Sequence, residues 1–266
     1  MGKRTLKFWL VATLLLSLYA CGSVLITGRK QLLLFSDGEL TSLSNQTYSQ
    51  IMGTYRSSRN SAYQKVVNEV GVRLTSAVER YARANGLTSS LEGLRWRFDV
   101  LESSQVNAFC LPNGSILFYE GIMPLVNSAD LVAVVMGHEI AHAVAKHGNE
   151  RMSQEMVVGT VGQVISQFIG SADQKKQAIF ELAFGLGSQL GVMLPYSRKH
   201  EYEADRLGLI FMAMAGYDIN VAPGFWERMS QNKSGGQLPE FFSTHPSDAN
   251  RVKKIREVLV EAAKYR

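Results

Sequence analysis

His138 and His142, four residues apart, with Glu139 directly after the first, are the side chains of this sequence best suited to chemistry. If residues 130–152 are helical, a four-residue step turns the chain by about 400°, so both imidazoles lie on one face and can chelate one zinc ion. Glu139 leans toward the same cavity, where a carboxylate can take a proton from zinc-bound water and pass it to a leaving amine. A pattern this short also occurs as an ordinary helix carrying two histidines. The setting argues against that here, because Leu131 to Met136, Ile140, Ala141 and Ala143 to Ala145 make the helix apolar almost all round. Such a helix is buried, and burying these polar groups is costly unless a metal compensates them.

A zinc ion on two histidines needs a third protein ligand and an open position. The metzincin arrangement would put a histidine at position 148 and a glycine at 145, where the chain has Gly148 and Ala145, with His147 one residue off. The other solution is a glutamate from a later helix. Glu201 and Asp205 are one helical turn apart on a common face, whereas Glu203 is rotated by about 200° and points elsewhere. Glu201 as ligand and Asp205 as the partner of a histidine is the economical assignment. The alternative is a solvated acidic face, which Ala204, Leu207 and Leu209 argue against. His147 and His200 have no partner in the spacing, so they are expected at the surface or behind the ligands.

The elements that must position these groups read as α+β, mainly α. Residues 41–55 are weakly periodic. Residues 62–85 place Val66, Val67, Val70, Leu74, Val78 and Tyr81 at helical spacing, with Gly86 as a helix terminator. From Arg95 the period falls to two, and residues 106–111 and 115–119 continue it around Pro112-Asn113-Gly114, a hairpin signal. This predicts a small antiparallel sheet before the metal helix. Its Asn107-Ala108-Phe109 is the candidate edge for binding an extended peptide, with an ordinary core hairpin as the alternative. Ser128 and Asp130 suit the start of the metal helix. Residues 153–169 and 173–194 read as a helical hairpin over the site, too often interrupted by polar groups to be transmembrane. A helix from 197 to about Gly216, a short one over 220–231, a loop at 233–236, a turn at 243–246 and a closing helix over 247–265 with a cationic face complete one domain, residues 41–266.

The chain has 266 residues, 46% hydrophobic and 9% aromatic, enough for a substantial core. Residues 1–20 stand apart: Lys3, Arg4 and Lys7 precede an apolar run from Phe8 to Leu16, the pattern of a secretory signal. Leu18-Tyr19-Ala20-Cys21 resembles a bacterial lipobox, apart from Tyr19, so Cys21 is the expected lipidation site; a plain signal or an uncleaved anchor is the alternative. Gly22 after the cysteine then implies sorting to the outer membrane, with residues 21–40 as a lipidated tether facing the periplasm. Without Lys3, Arg4 and Lys7 the formal charge falls from +5 to +2. With no basic patch interleaved with aromatics, nucleic acid is excluded as a partner. Cys110, the other cysteine, reads as a buried small hydrophobe, although an oxidising compartment leaves intermolecular pairing open.

Four ordered motifs support a resemblance over nearly all of the chain beyond residue 20. His138-Glu139-x-x-His142, Ser197-Arg198-x-x-Glu201-x-Glu203-Ala204-Asp205, Asn107-Ala108-Phe109 and Ser243-Thr244-His245-Pro246-Ser247 together resemble the HtpX/CAAX-prenyl-protease family of gluzincin metallopeptidases, in its periplasmic lipoprotein branch. The resemblance implies a zincin-like domain with one zinc ion per chain on His138, His142 and Glu201, and Glu139 as general base. It also implies that His245 lies near the zinc and can occupy or guard the fourth position, with Arg251 positioning that segment or an acidic group. The expected activity is metalloendopeptidase hydrolysis of misfolded or membrane-associated envelope proteins, with envelope assembly factors or proteases as partners. The competing expectation is a lipoprotein chaperone or assembly factor whose zinc site is capped.

Overall fold

A computed structural model describes residues 21–158, 171–184, 196–231, 241–246 and 250–266. The segment 1–20, the distal parts of the helices expected over 153–169 and 173–194, the loop at 233–236 and Ser247 lie outside these residues.

Strands β1 (Cys21–Ser23) and β2 (Lys30–Leu32) pair antiparallel. The turn between them holds Ile26 at φ 70° and Gly28 at φ 66°. A β-branched residue in that conformation costs on the order of 1–3 kcal/mol and persists only where its surroundings hold it. Val24 and Leu25 sink into the main core, so the expected tether is docked. Its last residues belong to a helix instead: α1 (Asp37–Thr54) starts at Ser36, whose side chain and that of Glu39 form a reciprocal capping box. Helix α2 (Ser61–Ala84) is capped by Asn60, buries Val67, Val70, Leu74 and Val78, and stops before Gly86 at φ 67°.

The sheet has the order β3 (Arg97–Leu101), β5 (Ser115–Tyr119), β4 (Ala108–Cys110). The β4–β5 hairpin is antiparallel as expected, but β3 pairs β5 in parallel, so the sheet is mixed. Residues 102–107 lack tight-turn chemistry and carry the chain past the neighbouring position to the far edge, leaving a central slot for β5. That strand is buried along its whole length, as a central strand should be.

Helix α3 (Ala129–Val144) carries His138, Glu139 and His142, starts on the Ser128 hydroxyl and is buried from Leu131 to Val144. It does not run on to residue 152. Lys146 adopts φ 52°, and its ammonium bonds both Asp37 oxygens at 2.8 and 2.9 Å. A new helix, α4 (His147–Val158), starts beyond it and packs on α5 (Ala172–Phe184). Helix α6 (Arg198–Met214) starts on the Ser197 hydroxyl and carries Glu201 and Asp205. It is followed by α7 (Ala222–Gln231), a single helical turn Phe241–Thr244 where a plain turn was expected, and α8 (Arg251–Ala262). Among the described residues no helix is long and apolar enough to cross a membrane.

Helices α3 and α6 make the tightest helix pairing, backbone against backbone at Gly137 and Gly208. A Cβ on Gly208 would lie 2.9 Å from the Gly137 carbonyl carbon and from the His138 nitrogen. Gly208→Ala is therefore expected to push the helices apart, destabilising the protein by about 1–3 kcal/mol. It should also weaken metal retention, because the helices carry the imidazoles and Glu201 respectively. Denaturant unfolding and metal analysis check this; wild-type values of both would refute it.

Candidate active site

Helix α3 turns His138 and His142 onto one face, and α6 brings Glu201 opposite them. The turn after Phe241–Thr244 adds His245, whose ring stacks on Phe241 at 4.3 Å. One ligand atom from each of these four buried residues lies within 4.8 Å of the others. His138 Nε2 is 3.1 Å from His142 Nε2 and 3.2 Å from His245 Nδ1. Glu201 Oε1 is 3.4 Å from His142 Nε2 and 3.1 Å from His245 Nδ1.

The far sides of the rings fix where their protons sit. His138 Nδ1 is 2.9 Å from Asp205 Oδ1 and donates to it. Burial alone would raise the Asp205 pKa, but the Arg251 cation and the His138 hydrogen bond outweigh it and hold the carboxyl below its usual range. His142 Nδ1 is 3.1 Å from His147 Nδ1, and His147 Nε2 is 3.0 Å from Glu203 Oε2. Burial depresses the His147 pKa to about 4, so its ring is neutral at pH 7. Donating to Glu203 from Nε2, it must accept from His142 at Nδ1. The two Nε2 atoms then face each other at 3.1 Å beside Glu201, turned toward the point where one shared cation, a proton or a metal ion, is held. Hydrogen bonds to Asp205 and Glu201 overcome burial and raise the His138 pKa to about 9, so the pocket favours positive charge at this point. Glu139 Oε1, Glu201 Oε2 and His245 Nε2 are buried without a hydrogen-bond partner among the described residues. Two imidazoles, a carboxylate and these orphaned atoms fit a zinc ion with an exchangeable position.

Arg251 is 1% exposed and offsets the acids: Nε and Nη2 bond Asp205 at 2.9 and 3.0 Å, and Nη1 lies 3.2 Å from Glu201. Its guanidinium rests on Trp226, 4.0 Å from the ring centre. Burial raises the Glu139 pKa, while the His245 and His138 rings and the Cys110 backbone beside one edge of the carboxyl oppose the rise. Glu139 Oε1 faces His245 Nε2 at 3.4 Å. The hairpin register directs the backbone groups of Ala108 and Cys110 away from β5, so the outer edge of β4 borders Glu139. Within the candidate peptide edge, Ala108 is fully buried, Phe109 is half-buried, and Asn107 caps the Ala108 N–H with its own side chain. Cys110 is a buried free thiol.

Sequence reasoning left His147 and His200 either at the surface or behind the ligands, and the fold takes the second course, with His147 directly behind His142. His147 and His200 are buried, not superficial: their rings stack at 4.6 Å, and His200 Nε2 is 3.1 Å from Glu150. The break at Lys146 swings His147 inward, and Glu203, pointing away from the metal face as expected, meets it there. Tyr196, stacked on His142 at 3.9 Å, was missed, since nothing in its local pattern marks it.

Residues 71–259 match peptidase family M48. The chain is 36% identical to Mitochondrial metalloendopeptidase OMA1 of Schizosaccharomyces pombe over 76% of its own length and 60% of the yeast protein's. It is 32% identical to human Metalloendopeptidase OMA1, mitochondrial, over 91% of its length and 46% of the human protein's. It is 25% identical to Metalloprotease YcaL of Escherichia coli over 84% of its length and 80% of the bacterial protein's. The chain thus spans about half the length of its mitochondrial relatives.

Burial opposes ionisation of Glu150 and Glu203, yet bonds from His200 and Arg29 to the first, and from His147, Thr27 and Arg29 to the second, bring both to about 2. Because the folded values lie below the unfolded value of 4.5, their stabilisation is complete above that pH and is lost as pH falls toward 2. Glu150→Gln is therefore expected to be less stable than wild type at pH 7 and to lose less stability on acidification from 4.5 to 2. Urea unfolding across that window measures it; parallel curves would refute the assignment.

Proposed function

We propose that this chain, which belongs to peptidase family M48, is a zinc-dependent endopeptidase that cuts protein substrates with one zinc ion per chain. His138, His142 and Glu201 would hold the ion, and His245 stands where it can cover the open position. When bound, zinc supplies a Lewis acid that lowers the pKa of water and polarises the scissile carbonyl. Glu139 takes the proton of the attacking water on Oε1 and delivers it to the leaving amine. Asp205 holds His138 in the ligating tautomer, and Arg251 keeps Asp205 and Glu201 ionised. An extended substrate adds to the outer edge of β4 at Asn107, Ala108 and Phe109, beside Glu139. The observation that carries the reading is the convergence of His138, His142, Glu201 and His245 on one buried point, with Glu139 Oε1 lacking a hydrogen bond among the described residues at the same cavity.

The sequence patterns support a finer assignment: residues 1–20 as a lipoprotein signal, Cys21 as the lipidated residue, 21–40 as tether and 41–266 as the peptidase domain. The protein then sits on the periplasmic face of the outer membrane of a bacterial envelope, in the HtpX-like lipoprotein branch, and removes misfolded or membrane-associated proteins. A second reading has a specific observation behind it. His245 Nδ1 is as close to Glu201 and His138 as a capping ligand would be, so a capped site in a chaperone or assembly factor is the alternative.

Casein digestion by the purified protein, with and without chelator, decides between the two. Cleavage should need the metal. Glu139→Gln should retain zinc and lose activity by about 100-fold or more, since the amide keeps the shape but not the base. Glu201→Ala should lose most of its zinc. Near-wild-type turnover by Glu139→Gln, or none by the zinc-loaded wild type, would sink the peptidase mechanism.

Cys21→Ser tests the anchor. Lipid processing should stop, leaving an uncleaved precursor or a soluble periplasmic form. If the variant is processed at the same place and stays as membrane-bound as wild type, the lipobox assignment fails.

A further inference from the structure

The turn of the N-terminal hairpin reaches the metal face through a buried chain of side chains that the hydrolytic steps do not use. Arg29 grips two acids on different helices. Its terminal nitrogens take both Glu150 oxygens at 2.8 and 2.6 Å, and Nε bonds Glu203 Oε2 at 2.7 Å. The Thr27 hydroxyl donates to the other Glu203 oxygen at 2.6 Å. Glu203 accepts from His147, and His147 accepts from His142. A guanidinium paired bidentately with Glu150 has no need of a second acid, and a surface turn has no need of a β-branched residue at φ 70°. The backbone between Leu25 and Arg29 is held in this costly form while Thr27 and Arg29 both reach Glu203.

We infer that the Thr27–Arg29 turn is a working part of the metal centre: acting through Glu203 and His147, it fixes the tautomer and ring orientation of His142, so that metal retention depends on a segment more than a hundred residues away in the chain. The inference rests on His142 being a metal ligand. Glu203, held by Thr27 and Arg29, is a carboxylate that can only accept, and its third donor is His147 Nε2. That directs the His147 lone pair at His142 Nδ1, puts the His142 proton there, and leaves Nε2 open to the metal. Partners that fix a ligating imidazole in this way are typically worth about 10- to 100-fold in metal affinity. Thr27, Arg29, Glu203 and His147 are positioning residues in this scheme, since none touches the reacting atoms.

The test reads metal release from the zinc-loaded full chain into excess 4-(2-pyridylazo)resorcinol, beside thermal unfolding of the metal-free proteins. Glu203→Gln should release zinc at least about 10-fold faster than wild type. Thr27→Val, which keeps shape and removes one hydroxyl, should release it measurably faster, and Thr27→Ser should restore the wild-type rate. Lys176→Met, which cuts an ion pair with Glu39 outside the relay, should release at the wild-type rate. The visible bands of the cobalt-substituted protein should shift in Glu203→Gln and Thr27→Val and stay in place in Lys176→Met. If Thr27→Val and Glu203→Gln both release zinc at the wild-type rate while His142→Ala holds none, the relay is overturned and the metal assignment stands. Should His142→Ala retain a full zinc ion, the metal assignment falls and the relay with it. Thr27→Val and Thr27→Ser decide the matter alone if Glu203→Gln fails to fold.

Discussion

Two imidazole nitrogens turned on each other at 3.1 Å, about a point that favours positive charge, form the constraint on which the rest of this molecule depends. It exists because each ring is held from behind, His138 by Asp205 and His142 by His147, and because the helix that carries them is packed on every side. Arrangements of this kind are stable when a cation lies between the nitrogens, and Glu201 stands ready as the compensating anion. The same reasoning accounts for Arg251. Two carboxylates buried within reach of one histidine would otherwise repel each other and take up protons, and a fully buried guanidinium spanning both keeps them ionised.

Precision at the site comes from backbone contact rather than side-chain bulk. The glycines at 137 and 208 let α3 and α6 approach until main chain touches main chain, which fixes Glu201 relative to the histidines with little slack. The sheet does the same for the base. Its edge strand packs against the metal helix and sets the Cys110 backbone beside Glu139. A site positioned by such rigid elements needs few adjustments when substrate enters.

Much of this was legible in the residues themselves. The four-residue spacing of the histidines and of Glu201 and Asp205 sets a common face once a helix exists, because 3.6 residues per turn is a local property of the backbone. Ser128, Ser197 and Gly86 mark helix ends through bonds and dihedrals confined to one turn, and Pro112-Asn113-Gly114 marks the hairpin for the same reason. The apolar run around His138 foretold burial, since a helix without a polar face has nowhere to lie but inside.

What the sequence could not determine was everything that depends on which distant groups meet. The parallel pairing of β3 with β5 is invisible to an alternation that fixes faces but not neighbours. The stop at Lys146 goes with an ion pair to Asp37, more than a hundred residues upstream, and the chain's turn there sends His147 inward. Arg29, Glu203 and His147 have no common spacing, and only the docking of the hairpin on α4 and α6 makes them one network. Local propensity fixed the faces of the helices; the packing of those faces decided which buried groups would share protons.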